Sequence, residues 1–133
     1  MLGITAALHG NELNGIPLIH RLVNDLKVNE LHGTIVAVPI ANIQGYVNGT
    51  RGFNGSDLNR LMPGKENAST PQLYCYQFMQ RIVKNLDYLI DLHTASKGRV
   101  NSLYVRADML NFHTSKMAKL QMPEVIFDLL IDL

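Results

Sequence analysis

The chain has 133 residues, is 47% hydrophobic and carries 12 basic against 11 acidic residues for a net charge of +1. That suits one domain with its own core and gives no electrostatic case for nucleic acid or an anionic membrane. A single cysteine rules out an intrachain disulfide framework, and no apolar stretch or basic leader marks a membrane span or signal peptide, so a cytoplasmic location is expected.

Gly3 to Leu8 reads as a buried strand, short and continuously apolar. It stops at His9-Gly10-Asn11-Glu12, after which Leu13, Ile16, Ile19, Leu22, Val23 and Leu26 recur at helical spacing. Pro17 falls in the first turn of that helix, where its missing N–H costs little. His20 lies among these positions and is expected to be partly buried. His32 lies in the connector Asn29 to Gly33, as a solvated turn residue.

Thr34 to Pro39 is a second strand rich in β-branched residues. From Ala41 to Gly64 the pattern dissolves into glycines and asparagines with no sustained period. A loop of that length in a small domain is expected to be functional, and it carries Arg51, Asp57, Asn59 and Arg60. Thr70 then caps a helix with Pro71 at its first position. Cys75, Phe78, Met79, Ile82, Val83 and Leu86 make one apolar stripe, so Cys75 reads as a packed thiol.

Tyr88 to Leu92 is a third strand, ending at His93. Ser102 to Arg106 is a fourth, and Asn111 to Gln121 a short helix with His113 on its surface. Val125 to Leu133 fits either a strand or a helix start. Strands alternating with helices predict an α/β layered fold with a largely parallel or mixed sheet and flanking helices.

In such sheets ligands bind beyond the carboxyl ends of strands. His9 and His93 each stand at such an end, and Glu12 follows His9 by three residues across a turn that Gly10 leaves open. Two imidazoles, one carboxylate and one open position make a hydrolytic zinc arrangement, in which the ion acidifies water and polarises a carbonyl. Arginines beside it suit a developing oxyanion or a substrate carboxylate.

His9-Gly10-Asn11-Glu12, then Arg51 ahead of Asp57-Leu58-Asn59-Arg60, then Asp91-Leu92-His93-Thr94, resembles the succinylglutamate desuccinylase/aspartoacylase family, related to the zinc carboxypeptidases. The resemblance covers residues 3 to about 106. It implies one Zn²⁺ held by His9, Glu12 and His93, with Arg51 polarising the scissile carbonyl. It implies that Asn59 and Arg60 hold a substrate carboxylate, and that Asp57 orients a ligand histidine through its other ring nitrogen. The implied reaction is hydrolysis of an N-acyl amino acid or similar small carboxylate substrate.

The family's general base is a glutamate on a later strand, and no glutamate here matches it. Glu12 is taken as a ligand, Glu30 and Glu66 lie in connectors, and Glu124 lacks the surrounding pattern. Residues 1–133 are therefore expected to be the N-terminal metal-binding part of a zinc carboxypeptidase-like catalytic domain, truncated at both ends. A carboxypeptidase-like metallopeptidase and a metal-binding domain without activity stay open as alternatives. Oligomer formation is also left open.

Overall fold

The structure, a computed structural model, describes residues 1–129. The chain divides into two units, Met1–Arg99 and the residues from Val100 onward. The first contains β1 (Leu2–Ala6), α1 (Gly15–Asp25), β2 (Ile35–Val38), α2 (Ile43–Val47), α3 (Leu58–Leu61), α4 (Thr70–Arg81) and β3 (Tyr88–Leu92). Its three strands form one parallel sheet in the order β2-β1-β3. The expected α/β class and parallel sheet are found.

β1 is central because its residues can be buried on both faces: from Gly3 to Ala6 every residue is buried. α1 lays Ile19 onto Ile4 and Ala6, with Leu2, Leu22, Ile35, Ala37 and Leu92 around them. The helix starts hard against the sheet. A Cβ built on Gly15 would lie 2.7 Å from the Ala6 Cβ, so only glycine permits that approach. A second cluster gathers Leu8, Ala41, Leu58 and Cys75, with Val38, Phe53, Leu61, Met62, Tyr74 and Phe78 packed against it. Cys75 is thus a packed thiol, as its stripe predicts.

Several boundaries differ from the expectation. β1 ends at Ala6 rather than Leu8, because Ala7 turns into the left-handed region at φ 52°. Its amide neighbours do not revert to the sheet: the Ala7 carbonyl accepts from Asn42 N–H at 3.0 Å instead. The Ala41–Gly64 segment holds two short helices, α2 and α3, which no apolar period announces. Ser69, not Thr70, occupies the cap position of α4, and Pro71 sits in its first turn. α4 stops at Arg81, so Leu86 lies beyond it, past the 3₁₀ turn Val83–Asn85. His20 is exposed, on the solvent face of α1.

The second unit has β4 (Tyr104–Ala107), α5 (Phe112–Leu120) and β5 (Val125–Asp128), with β4 and β5 parallel. Asn111 caps α5, its Oδ1 accepting from His113 and Thr114 N–H at 3.0 and 3.1 Å. His113 is exposed, as expected. The segment from Val125 is a strand as far as Asp128, and its last four residues, 130–133, lie outside the described residues. Among the described residues no helix is long and apolar enough to cross a membrane.

Candidate metal centre

β1 and β3 are hydrogen-bonded neighbours, and both run toward the same edge. His9 comes three residues after β1 and His93 directly after β3, so the sheet delivers both imidazoles to one place. The turn after β1 is held by its own amides and by the loop: Glu12 N–H donates to the His9 carbonyl at 3.0 Å and Gly10 N–H to the Arg51 carbonyl at 3.2 Å. Gly10 touches backbone here, because a Cβ on it would lie 2.1 Å from the Gly45 carbonyl carbon. Asn42, fully buried, ties the same turn down. Its Oδ1 accepts from Gly45 N–H at 2.8 Å and its Nδ2 donates to the Leu8 carbonyl at 3.3 Å.

The donor atoms of His9, Glu12 and His93 lie within 4.8 Å of one another. His9 Nδ1 stands 3.1 Å from Glu12 Oε1, His93 Nδ1 stands 3.1 Å from Glu12 Oε2, and the two Nδ1 atoms are 3.1 Å apart. His9 and Glu12 are buried, at 2% and 4% exposure, whereas the His93 side chain is 32% exposed. The cluster is therefore walled on two sides and open on the third.

Each histidine has its other nitrogen on a carboxylate: His9 Nε2 to Asp57 Oδ1 at 3.0 Å and His93 Nε2 to Asp91 Oδ2 at 2.7 Å. Ionised carboxylates only accept, so both Nε2 atoms carry the hydrogen. In the neutral rings both Nδ1 lone pairs then converge with Glu12 on one point. Two lone pairs facing each other need a cation or a shared proton between them, and this nitrogen-oxygen donor set fits Zn²⁺.

Glu12 is crowded with donors. Thr94 N–H donates to Oε2 at 3.0 Å, while Ser96 Oγ and Arg51 Nη1 donate to Oε1 at 3.1 and 2.7 Å. Burial by itself raises its pKa, but the Thr94 amide and the charges of His9 and His93 outweigh it and hold the carboxyl below its ordinary range. Asp57 likewise is raised by burial, yet lowered on balance by the His9 hydrogen bond, the His9 charge, the Asn59 amide and Arg51. His93 is pushed up, first by its hydrogen bond to Asp91, with burial opposing and the Asp91 and Glu12 charges adding.

The loop residues gather at the rim to different degrees. Asp57 caps α3, its Oδ1 accepting from Asn59 N–H at 3.0 Å as well as from His9. Leu58 behind it is fully buried and anchors that cap in the core. Arg51 reaches Glu12 and, at 3.5 Å from its Nε, Asp57. Asn59 and Arg60 are exposed, with Arg60 Nε 3.9 Å from Asp57 Oδ2 and its side chain 88% exposed. Asn59 reaches the site through its backbone N–H, given to Asp57.

A model of the family described as the succinylglutamate desuccinylase/aspartoacylase catalytic domain matches residues 1–130. The chain belongs to the succinylglutamate desuccinylase/aspartoacylase family. It is 28% identical over 96 residues to the N-α-acetyl-L-2,4-diaminobutyric acid deacetylase of Halomonas elongata, covering 71% of this chain and 28% of that protein. The crystal structure of an aspartoacylase family protein from Mesorhizobium loti superposes with a TM-score of 0.78 at 26% identity, covering 94% of this chain and 42% of the other. A succinylglutamate desuccinylase/aspartoacylase from Rhodobacter sphaeroides gives 0.64 at 27% identity, covering 71% and 30%. The chain thus spans less than half the length of each of these relatives.

Within this member of the succinylglutamate desuccinylase/aspartoacylase family, the structure gives parts to residues that the motif reading left without a role, Asp91, Thr5, Asn42 and Ser96 among them. Asp91 follows from strand alternation, since residues two apart share a face and Asp91 precedes His93 by two. Thr5 follows only once β1 and β3 are known to pair, because it is the Asp91 register partner. Asn42 carries no sequence signal at all; a buried asparagine in a polar loop looks like its exposed neighbours.

Proposed function

We propose that the chain carries the zinc site of a deacylase that hydrolyses the amide bond of an N-acyl amino acid or similar small carboxylate substrate. The observation that carries this reading is the convergence of His9 Nδ1, His93 Nδ1 and Glu12 within 4.8 Å, with both opposite ring nitrogens engaged by carboxylates. The family assignment and the deacetylase relative support the reaction class. His9, Glu12 and His93 would hold the ion, which when bound supplies a Lewis acid able to acidify water and polarise a carbonyl.

The remaining chemistry belongs to side chains. Asp57 keeps His9 turned toward the cluster and holds its Nε2 proton. Arg51 has N–H donors beyond those given to Glu12 and Ser96, and these would serve a carbonyl oxygen gaining negative charge beside the cluster. Arg60, exposed beside Asp57, supplies a planar fork for the substrate carboxylate, and the exposed Asn59 preceding it in the chain would add its side-chain amide. The substrate is a small molecule; the even charge balance supports no nucleic-acid or membrane partner.

The deciding experiment is elemental analysis of the purified protein beside His93→Ala. About one zinc per chain in the wild type and loss in the variant support the site; because no glutamate here matches the family's general base, release of free amine from N-acyl amino acids by this chain alone is expected to be slow. Equal metal content in the two proteins removes His93 from the site.

A further inference from the structure

We propose that Thr5 and Asp91 form a cross-strand positioning pair that fixes the His93 ring with its hydrogen on Nε2 and its Nδ1 turned to the metal cluster. The proposal rests on the zinc reading for its consequence but not for its geometry. Thr5 on β1 and Asp91 on β3 are register partners in the parallel pair, so their side chains leave the sheet on one face. Thr5 is 2% exposed, and its Oγ1 donates to Asp91 Oδ1 at 2.5 Å. The other carboxylate oxygen, Oδ2, accepts from His93 Nε2 at 2.7 Å.

Asp91 is thereby held at both oxygens, one by a donor on the neighbouring strand and one by the ring it orients. A buried threonine hydroxyl has a single hydrogen to give, and its branched Cβ leaves χ1 little freedom. The carboxylate it meets cannot swing away without stranding that hydroxyl in the core. His9 is served differently: its carboxylate, Asp57, is fixed by the cap of α3 at Asn59 N–H. The two ligand histidines are thus oriented by separate devices, a helix cap for the buried ring and a strand-to-strand bond for the exposed one. The second matters more for position, because 32% of the His93 side chain is open and packing alone does not hold it.

A purely structural role, stapling β1 to β3, would show in stability alone. Positioning shows in the ring. In metal-free protein at a pH where His93 is neutral, ¹⁵N NMR of the imidazole should report the Nε2–H form in the wild type and a mixture in Asp91→Ala. Thr5→Val, which removes the hydroxyl with little change of shape, should move the same signals less far. Competition with a chromophoric chelator should show zinc affinity reduced by roughly 10–100-fold in Asp91→Ala, the usual range for a partner of a ligand histidine, with a smaller loss in Thr5→Val. Variants that melt normally yet keep the wild-type tautomer and zinc affinity overturn the proposal. A wild type that binds no zinc overturns the zinc reading instead, and the metal-free tautomer measurement then still decides whether the pair positions His93.

Discussion

His9 and Asp57, 48 residues apart in the chain, share one hydrogen bond of 3.0 Å between Nε2 and Oδ1. The same oxygen accepts the Asn59 amide and so caps α3. One side chain therefore does two jobs that a substitution can separate. Asparagine caps helices about as well as aspartate but brings no charge to the histidine. In metal-free protein Asp57→Asn is expected to keep the cap and lower the melting temperature only by the contribution of the lost charge, while zinc affinity drops by roughly 10–100-fold. Differential scanning calorimetry and a chelator competition read the two effects, and a parallel fall in both would mean that the cap, not the charge, is what matters.

Gly10 is the point where the strand-end turn touches α2. A methyl group there would come within 2.1 and 2.3 Å of the Gly45 carbonyl carbon and the Tyr46 nitrogen, both backbone atoms of a capped helix. Backbone cannot rotate aside as a side-chain tip can. Gly10→Ala is expected to destabilise the fold by at least the ~1–3 kcal/mol typical of overpacking and to lower zinc content, since His9 and Glu12 flank the displaced residue. Chemical denaturation with metal analysis tests it; a normal midpoint would show that the turn yields easily.

What could be read from the sequence follows from where the physics is local. The two histidines at strand ends, the Arg51 and Asp57 loop and the Cys75 stripe all follow from short-range pattern. That β1 and β3 are neighbours is a fact of sheet order, and only that order turns two separate strand ends into one cluster. The true end of β1 was hidden because Ala7 and Leu8 are as apolar as a strand, although Ala7 turns and Leu8 packs in the other cluster. The 41–64 segment looked shapeless because it is fastened by single residues, Asn42 and Leu58, rather than by a repeating face. His20 joined an apolar stripe in sequence and faces solvent in the fold, as amphipathic positions near the stripe edge often do.

The titrating groups of the cluster pull metal-free stability in opposite directions. His93 has a raised pKa, so its contribution is fully present below the unfolded histidine value of about 6.5 and is lost as pH rises through the folded value. Glu12 and Asp57 have depressed values, so theirs is present above the unfolded carboxylate range, about 4, and is lost as pH falls through the folded values. Chelated protein should therefore melt highest between roughly pH 4.5 and 6.5. If the proposed site takes up zinc, the ion must displace the His93 proton, so the increment in melting temperature on adding zinc should grow with pH. Thermal scans from mildly acidic to mildly basic buffer, with and without metal, give both curves, and a pH-independent increment would contradict this account.

Cys75 offers a probe of the core behind the site. Burial pushes its thiol up, and its sulfur lies 3.6 Å from the Leu58 carbonyl at zero exposure. Thiolate is the reactive form. Labelling by a thiol reagent should be slow in the native protein and complete in denaturant. Leu58→Ala, which removes a fully buried side chain from the same cluster at a typical cost of about 2–5 kcal/mol, should speed it. Rapid labelling of the wild type would mean that this cluster opens on its own.

Arg60 tests the substrate side of the proposal without depending on turnover. Its side chain is 88% exposed and pairs with Asp57 across 3.9 Å between Nε and Oδ2. Surface ion pairs of that kind contribute little, so Arg60→Lys should leave folding within about 0.5 kcal/mol of wild type. Lysine keeps the charge but not the planar pair of N–H donors that matches a carboxylate. If Arg60 clamps the substrate carboxylate, the variant should bind an N-acyl amino acid more weakly by roughly 1.5–3 kcal/mol, the range for hydrogen bonds to charged groups. Asn59→Ala should add to that loss only through its side chain, because its amide is already given to Asp57. Calorimetric titration of zinc-loaded protein with N-acetyl amino acids measures each affinity. Unchanged binding in Arg60→Lys would make Arg60 a solvated loop residue and leave the carboxylate to Arg51.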